Sequence, residues 1–172
     1  MNTPDKPSLV FGSTIFGIVV LAVIGWIMLG GVALGLTSLY AGFLFLWYWG
    51  EVEGAETGRF LTSLVGAVCG IGLAWILQAF PVTFGMTGTV AAILLVLIAV
   101  YAHILKLLPF VINSATMLFL TVAAAPIILN QSDFTEVLAS ASLGAIFFGC
   151  VVFTAKRLSS RSNQPAEREQ AS

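Results

Sequence analysis

The chain has 172 residues, of which 59% are hydrophobic and 9% charged. A soluble domain carries about 25% charged residues, so this composition excludes an ordinary globular protein and, with no long polar stretch, a large domain outside a membrane. The net charge of -1 argues against nucleic acid as a partner, which needs many clustered Lys and Arg.

A helix needs about 20 mostly apolar residues to cross the hydrocarbon core, and polar, glycine and proline punctuation divides the chain into six such spans. The first runs from Leu9 to Leu29. Its apolar run is too long for a cleavable signal peptide and its flank carries only Lys6. The second runs from Val32 to Trp49 and holds Thr37, Ser38 and Tyr40; the loop after it holds Glu51, Glu53 and Glu56 and reads as a solvated turn. The third runs from Phe60 to Phe80, with Gly66, Gly70 and Ala74 recurring every four residues. The fourth, Thr87 to Leu105, places His103 near its end with Lys106 beyond it. His103 reads as a helix-end residue satisfied at the interface, with a titrating gate as the alternative.

The fifth span, Leu107 to Leu129, contains Pro109, Pro126, Asn113, Ser114, Thr116 and Thr121. The sixth, Phe134 to Ala155, carries Ala141, Ala145 and Gly149 at the same spacing as the small residues of the third. Small residues at this interval let helices approach closely in lipid. They read as packing faces, either internal seams or contacts with another subunit. The polar stretch 159–172, SSRSNQPAEREQAS, reads as a disordered tail. The six-helix domain therefore covers 1–158.

Strands of a membrane barrel would alternate in polarity, and Val90 to Val100 does not. The expected fold is thus all-α. Lys6, Arg59, Lys106, Lys156, Arg157, Arg161 and Arg168 all fall on one side of a six-span arrangement. The positive-inside rule makes that side, and both termini, cytoplasmic. Trp26, Trp47, Tyr48, Trp49 and Trp75 lie towards helix ends, as an aromatic belt would. Cys69 and Cys150 lie in apolar runs and read as small hydrophobes.

A shift of 76 residues sets Gly12-Ser13 on Gly88-Thr89, Val20-Leu21 on Val96-Leu97, Ser38 on Ser114 and Phe43-Leu44 on Phe119-Leu120. A shift of 78 sets Thr62 to Ala67 on Ser140 to Ala145. Halves of about 9–80 and 85–156 then form a 3+3 repeat, and an odd number of spans per half inverts the second copy, as in many transporters.

The middles of the spans carry no Asp, Glu, Lys or Arg, which disfavours a carboxylate proton relay. The polar groups at depth are Thr37, Ser38 and Tyr40 with their repeat partners Asn113, Ser114 and Thr116. They read as the lining of a shared path for a small, uncharged solute, or as hydrogen bonds between helices. No metal-ligand pattern, phosphate-binding loop or catalytic set is present in the sequence. The expectation is a non-enzyme without a metal or other cofactor. Its partners are the bilayer and a solute, with a homo-oligomer left open.

Gly25-Trp26, the segment Ser38 to Phe43 (SLYAGF), Pro109 and the segment Leu138 to Gly149 (LASASLGAIFFG) resemble the YcdZ-like family of small bacterial inner-membrane proteins, a family without an assigned activity. The resemblance implies a multi-pass inner-membrane location and a compact helical fold. On these expectations the chain is a channel or facilitator, or else a non-transporting subunit that docks a partner through its small-residue faces.

Overall fold

The computed structural model describes the backbone of residues 9–131 and 133–170, and the side chains of 16–129 and 133–158. Every element among them is helical. The order is α1 (Leu9–Trp26, extended by a π turn, Ile27–Ala33), α2 (Tyr40–Trp47, extended by a π turn, Tyr48–Val52), α3 (Thr57–Ile104), α4 (Ser114–Ala123), α5 (Pro126–Gln131) and α6 (Phe134–Gln170). Three helices contain stretches long and apolar enough to cross a membrane: Phe16–Ala33, Thr57–Ile104 and Phe134–Leu158. The described residues are thus all-helical, with three helices that by length and composition could cross a membrane.

Several boundaries move from those expected, each for a backbone reason. The second helix starts at Tyr40, eight residues beyond Val32, because the chain widens into a π turn over Gly30 and Gly31 and then turns at Gly35, whose φ of 67° suits glycine. The third and fourth spans form one 48-residue helix with a break at Gly85, where φ 58° and ψ −137° are helix-incompatible and open to glycine. Pro81 weakens the turn before it by withholding an N–H. The limbs 57–84 and 86–104 fold back on each other. Near the bend, a Cβ on Gly88 would sit 2.0 Å from the Phe80 carbonyl oxygen; at the far end, Arg59 and Thr62 share a cavity with His103 and Ile104.

The fifth span is shorter and divided. Residues 105–113 leave the helix although most are apolar, since Lys106 takes a left-handed φ of 51° and Pro109 disfavours helical geometry at Leu108. Asn113 then starts α4, and Pro126 starts α5 after a break at Ala124 and Ala125. The sixth helix begins at Phe134 as expected but continues to Gln170, through most of the stretch read as a disordered tail. Ala171 and Ser172 lie outside the described residues.

Packing follows the small residues. Apolar side chains have little drive to associate in lipid, so close backbone approach and interhelical hydrogen bonds carry the contacts. On α3, a Cβ at Gly70 would lie 2.4 Å from the Thr116 carbonyl and 2.9 Å from the Leu120 nitrogen, so α4 rests directly on this face. On α6, a Cβ at Gly144 would lie 2.5 Å from the Gly42 Cα, so α2 crosses there. A continuous core of Phe45, Trp49, Ile71, Phe119, Val137 and alanines joins α2, α3, α4 and α6. Trp26, fully buried, fills a second cluster with Ala22 and Phe148, and donates from Nε1 to the Leu39 carbonyl at 3.3 Å.

Candidate polar cavities at two helix starts

The six polar candidates divide between two cavities rather than lining one. Thr37, Ser38 and Tyr40 line a cavity of about 350 Å³ together with Ile127, Ile128, Asp133 and Glu136. Asn113 and Ser114 line another, of about 510 Å³, together with Glu53, Arg59, Thr62, His103, Ile104, Lys106, Pro109 and Ile112. Thr116 is fully buried beneath the second. These groups sit at helix starts because α2 and α4 begin later than hydropathy suggests.

In the first cavity, the Glu136 carboxylate from the opening turn of α6 clasps the loop before α2. It accepts from the Thr37 and Ser38 backbone N–H groups, the latter at 2.8 Å, while the Thr37 hydroxyl lies 2.9 and 3.0 Å from its two oxygens. A carboxylate against the free N–H groups of an opening helix satisfies donors that otherwise have no partner. Asp133 caps α6 through bonds to the Thr135 N–H (2.9 Å) and hydroxyl (2.6 Å). The Thr135 bonds hold the Asp133 carboxyl below its ordinary range. One turn inward from Glu136, the Ser140 hydroxyl is fully buried without a hydrogen-bond partner.

In the second cavity, Asn113 is both a cap and a tie. Its Oδ1 accepts from Ala115 N (2.9 Å) and Thr116 N (3.3 Å), and its Nδ2 donates to the Thr62 carbonyl of α3 at 2.9 Å. Thr116 closes the capping box by accepting from Asn113 N at 3.1 Å, and its hydroxyl donates to the Val111 carbonyl at 2.8 Å. Asn113 fits because Gly66 has no side chain: a Cβ there would lie 2.2 Å from Oδ1. The turn 53–56 borders this cavity, and Lys156 of α6 donates to the Ala55 carbonyl. From Glu136 to Lys156 a continuous helix rises about 30 Å. The first cavity thus lies at the start of α6 and the second near Lys156, about 30 Å further along the same helix, a length close to one hydrocarbon thickness.

Other expectations change as well. Glu53 is not simply solvated, since it accepts from the Tyr48 hydroxyl at 2.7 Å. His103 is half-buried in the cavity wall, its side chain without a hydrogen bond among the described residues. Trp47 and Trp75 are exposed, whereas Trp26, Tyr48 and Trp49 are core residues, with Trp49 Nε1 donating to the Glu56 carbonyl at 3.0 Å. Gly66, Gly70 and Ala74 are buried, as are Ala141, Ala145 and Gly149. Asn113 and α4 fill the face at Gly66 and Gly70, and Phe60 approaches Gly149, so these faces are packed within the chain.

Glu136, Arg59, Thr62 and Lys106 joined the cavities without having been singled out as cavity residues in the sequence. An acidic residue in a first helical turn was a visible signal for Glu136. Its partners Thr37 and Ser38, about one hundred residues away, left no local trace. Fold and site together define an all-helical chain with membrane-length apolar helices and polar cavities at two helix starts. No family model, curated protein or solved structure matches it.

Proposed function

We propose that the chain is a six-span protein of the bacterial inner membrane, with both termini cytoplasmic, that provides a path for a small uncharged solute. The observation that carries this reading is the pair of polar cavities about 30 Å apart along α6, each at the start of a helix too short to cross alone. The eight residues of α2 with its five-residue π extension rise about 20 Å, and the ten of α4 about 15 Å. Short helices opening on polar cavities are features of solute sites in inverted-repeat transporters.

Such a repeat also accounts for the packing. Exchange of the two halves turns the α2–α6 crossing into the α4–α3 crossing, and the Glu136 clasp at the α2 start into the Asn113–Thr62 tie at the α4 start. Arg59, Lys106 and Lys156 gather around the Lys156 level of α6, while Asp133 and Glu136 lie at its start. That separation supports the positive end as cytoplasmic. Phe45, Phe119 and Val137 fill the interior, so conduction requires them to move, and the buried Ser140 hydroxyl offers a hydrogen bond on the way. The apolar outer surface would be covered by lipid or by further copies of the chain. A YcdZ-like relationship agrees with this location and size.

The test is flux in proteoliposomes, using glycerol shrinkage and re-swelling as the readout. Wild-type protein is expected to speed glycerol entry, and folded Ser38→Leu and Ser114→Leu variants to lose most of that gain. Glycerol entry that is no faster than in empty vesicles, or that is unchanged in both variants, removes the proposed path.

A further inference from the structure

The larger cavity carries more basic character than an uncharged solute requires. Arg59 opens α3, His103 closes its second limb, and Lys106 follows in the next turn; all three line the same space, against a single carboxylate, Glu53. Glu53 is committed to the Tyr48 hydroxyl at 2.7 Å. The Arg59 Nε lies 3.9 Å from Glu53 and 3.7 Å from Glu56, beyond hydrogen-bond length for both. The side chains of His103 and Lys106 have neither a hydrogen bond nor an ion pair among the described residues. The cavity thus presents ammonium and imidazole donors without a partner among the described residues, beside a guanidinium that is held only by the two longer ion pairs to Glu53 and Glu56 and keeps donors for a ligand, with the Thr62 and Ser114 side chains next to them.

Lys106 adds an independent observation. It stands at a left-handed φ of 51°, in a helix-ending turn where the Leu107 N–H donates back to the Ala102 carbonyl at 3.0 Å. Glycine occupies that position without strain, and a long side chain there works against the backbone. The turn therefore closes despite Lys106, and the ammonium it carries to the cavity has no partner among the described residues.

We propose that this cavity binds a small oxyanion of the phosphate type, held by Arg59 and Lys106 with a donor from His103. Guanidinium and ammonium groups form their strongest hydrogen bonds to such oxygens. A volume of about 510 Å³ accepts either a free ion or the phosphate of a lipid headgroup reaching in from the membrane surface. The inference does not rest on solute transport, because binding is read without flux.

The test uses the full chain. In dodecyl maltoside, inorganic phosphate at constant ionic strength is expected to raise the Tm saturably. Lys106→Gly is expected to keep or raise the ligand-free Tm, because the strain is relieved, yet to weaken phosphate at least tenfold. Arg59→Gln weakens it similarly, and Arg157→Gln, outside the cavity, leaves it unchanged. In nanodiscs, a higher Tm in phosphatidylglycerol than in phosphatidylcholine that depends on Lys106 and Arg59, with no response to free phosphate, assigns the site to a lipid headgroup. The proposal is overturned if neither phosphate nor phosphatidylglycerol stabilises the wild type, or if Lys106→Gly and Arg59→Gln respond as the wild type does.

Discussion

Replacing Gly70 by alanine adds one methyl group at the point where α3 and α4 touch. Its Cβ would lie 2.4 Å from the Thr116 carbonyl oxygen and 2.9 Å from the Leu120 nitrogen. Ordinary contact begins near 3.4 Å, so α4 must retreat by about 1 Å, and both obstacles are backbone atoms that no rotamer change can move aside. Overpacking of this kind costs about 1–3 kcal/mol. Gly72, two residues on, faces open space with nothing within 4 Å. Alanine there keeps only the gain in helix propensity, up to about 1 kcal/mol. The two substitutions are chemically identical on the same helix, so their difference isolates the α3–α4 contact. Unfolding by sodium dodecyl sulfate in mixed micelles, followed by tryptophan fluorescence, should separate the variants by about 1–3 kcal/mol, with Gly72→Ala the more stable, because the propensity gain is common to both and cancels. Equal stability would show that α4 does not rest on Gly70, and the packing described for the second cavity would fail with it.

Three further predictions address the cavities. Asn113→Ala removes the α4 cap and the tie to Thr62, and should cost about 1–3 kcal/mol in the same unfolding assay; an unchanged midpoint would contradict the capping geometry. Ser140→Ala removes a buried hydroxyl that has no partner and should leave stability equal or slightly higher, whereas a clear loss would mean that Ser140 is bonded. The carboxyl of Asp133 is held below its ordinary range by Thr135, so its contribution is complete above the unfolded value, near pH 4, and is lost as pH falls through the lower folded value. Any stability difference between the wild type and Asp133→Asn should therefore be present at pH 7 and shrink below about pH 4, and a difference that grows on acidification would refute the cap.

Apolar segments were legible in the sequence because long hydrophobic runs favour helix here, and helix occupies the centre of each of the six stretches expected, three of the helices being long and apolar enough to cross a membrane. The Pro81 to Met86 interruption likewise marked the bend at Gly85. Helix starts were less visible because hydropathy reports side chains, not backbone dihedrals. Leu105, Leu107, Leu108, Phe110 and Val111 are apolar enough to extend a span, yet Lys106 and Pro109 turn the chain there and delay α4 until Asn113 can cap it. That delay moves Asn113 and Ser114 from mid-span to a cavity wall. Gly35 does the same for Thr37 and Ser38. The small residues at intervals of four announced close packing correctly. Their partners were hidden because neither Gly70 meeting Thr116 nor Gly144 meeting Gly42 follows from local spacing. His103 and Lys106 were visible as a pair, but the fold of the α3 limbs was needed to bring Arg59 beside them.

The proposed path requires the two cavities to open to opposite sides of a membrane. Single cysteines placed by Thr37→Cys or Ser114→Cys, in a background carrying Cys69→Ala and Cys150→Ala, can be probed with a membrane-impermeant maleimide in right-side-out and inverted vesicles. The position 37 thiol is expected to react only in right-side-out vesicles and the position 114 thiol only in inverted ones. Labelling of both from the same side would contradict the path.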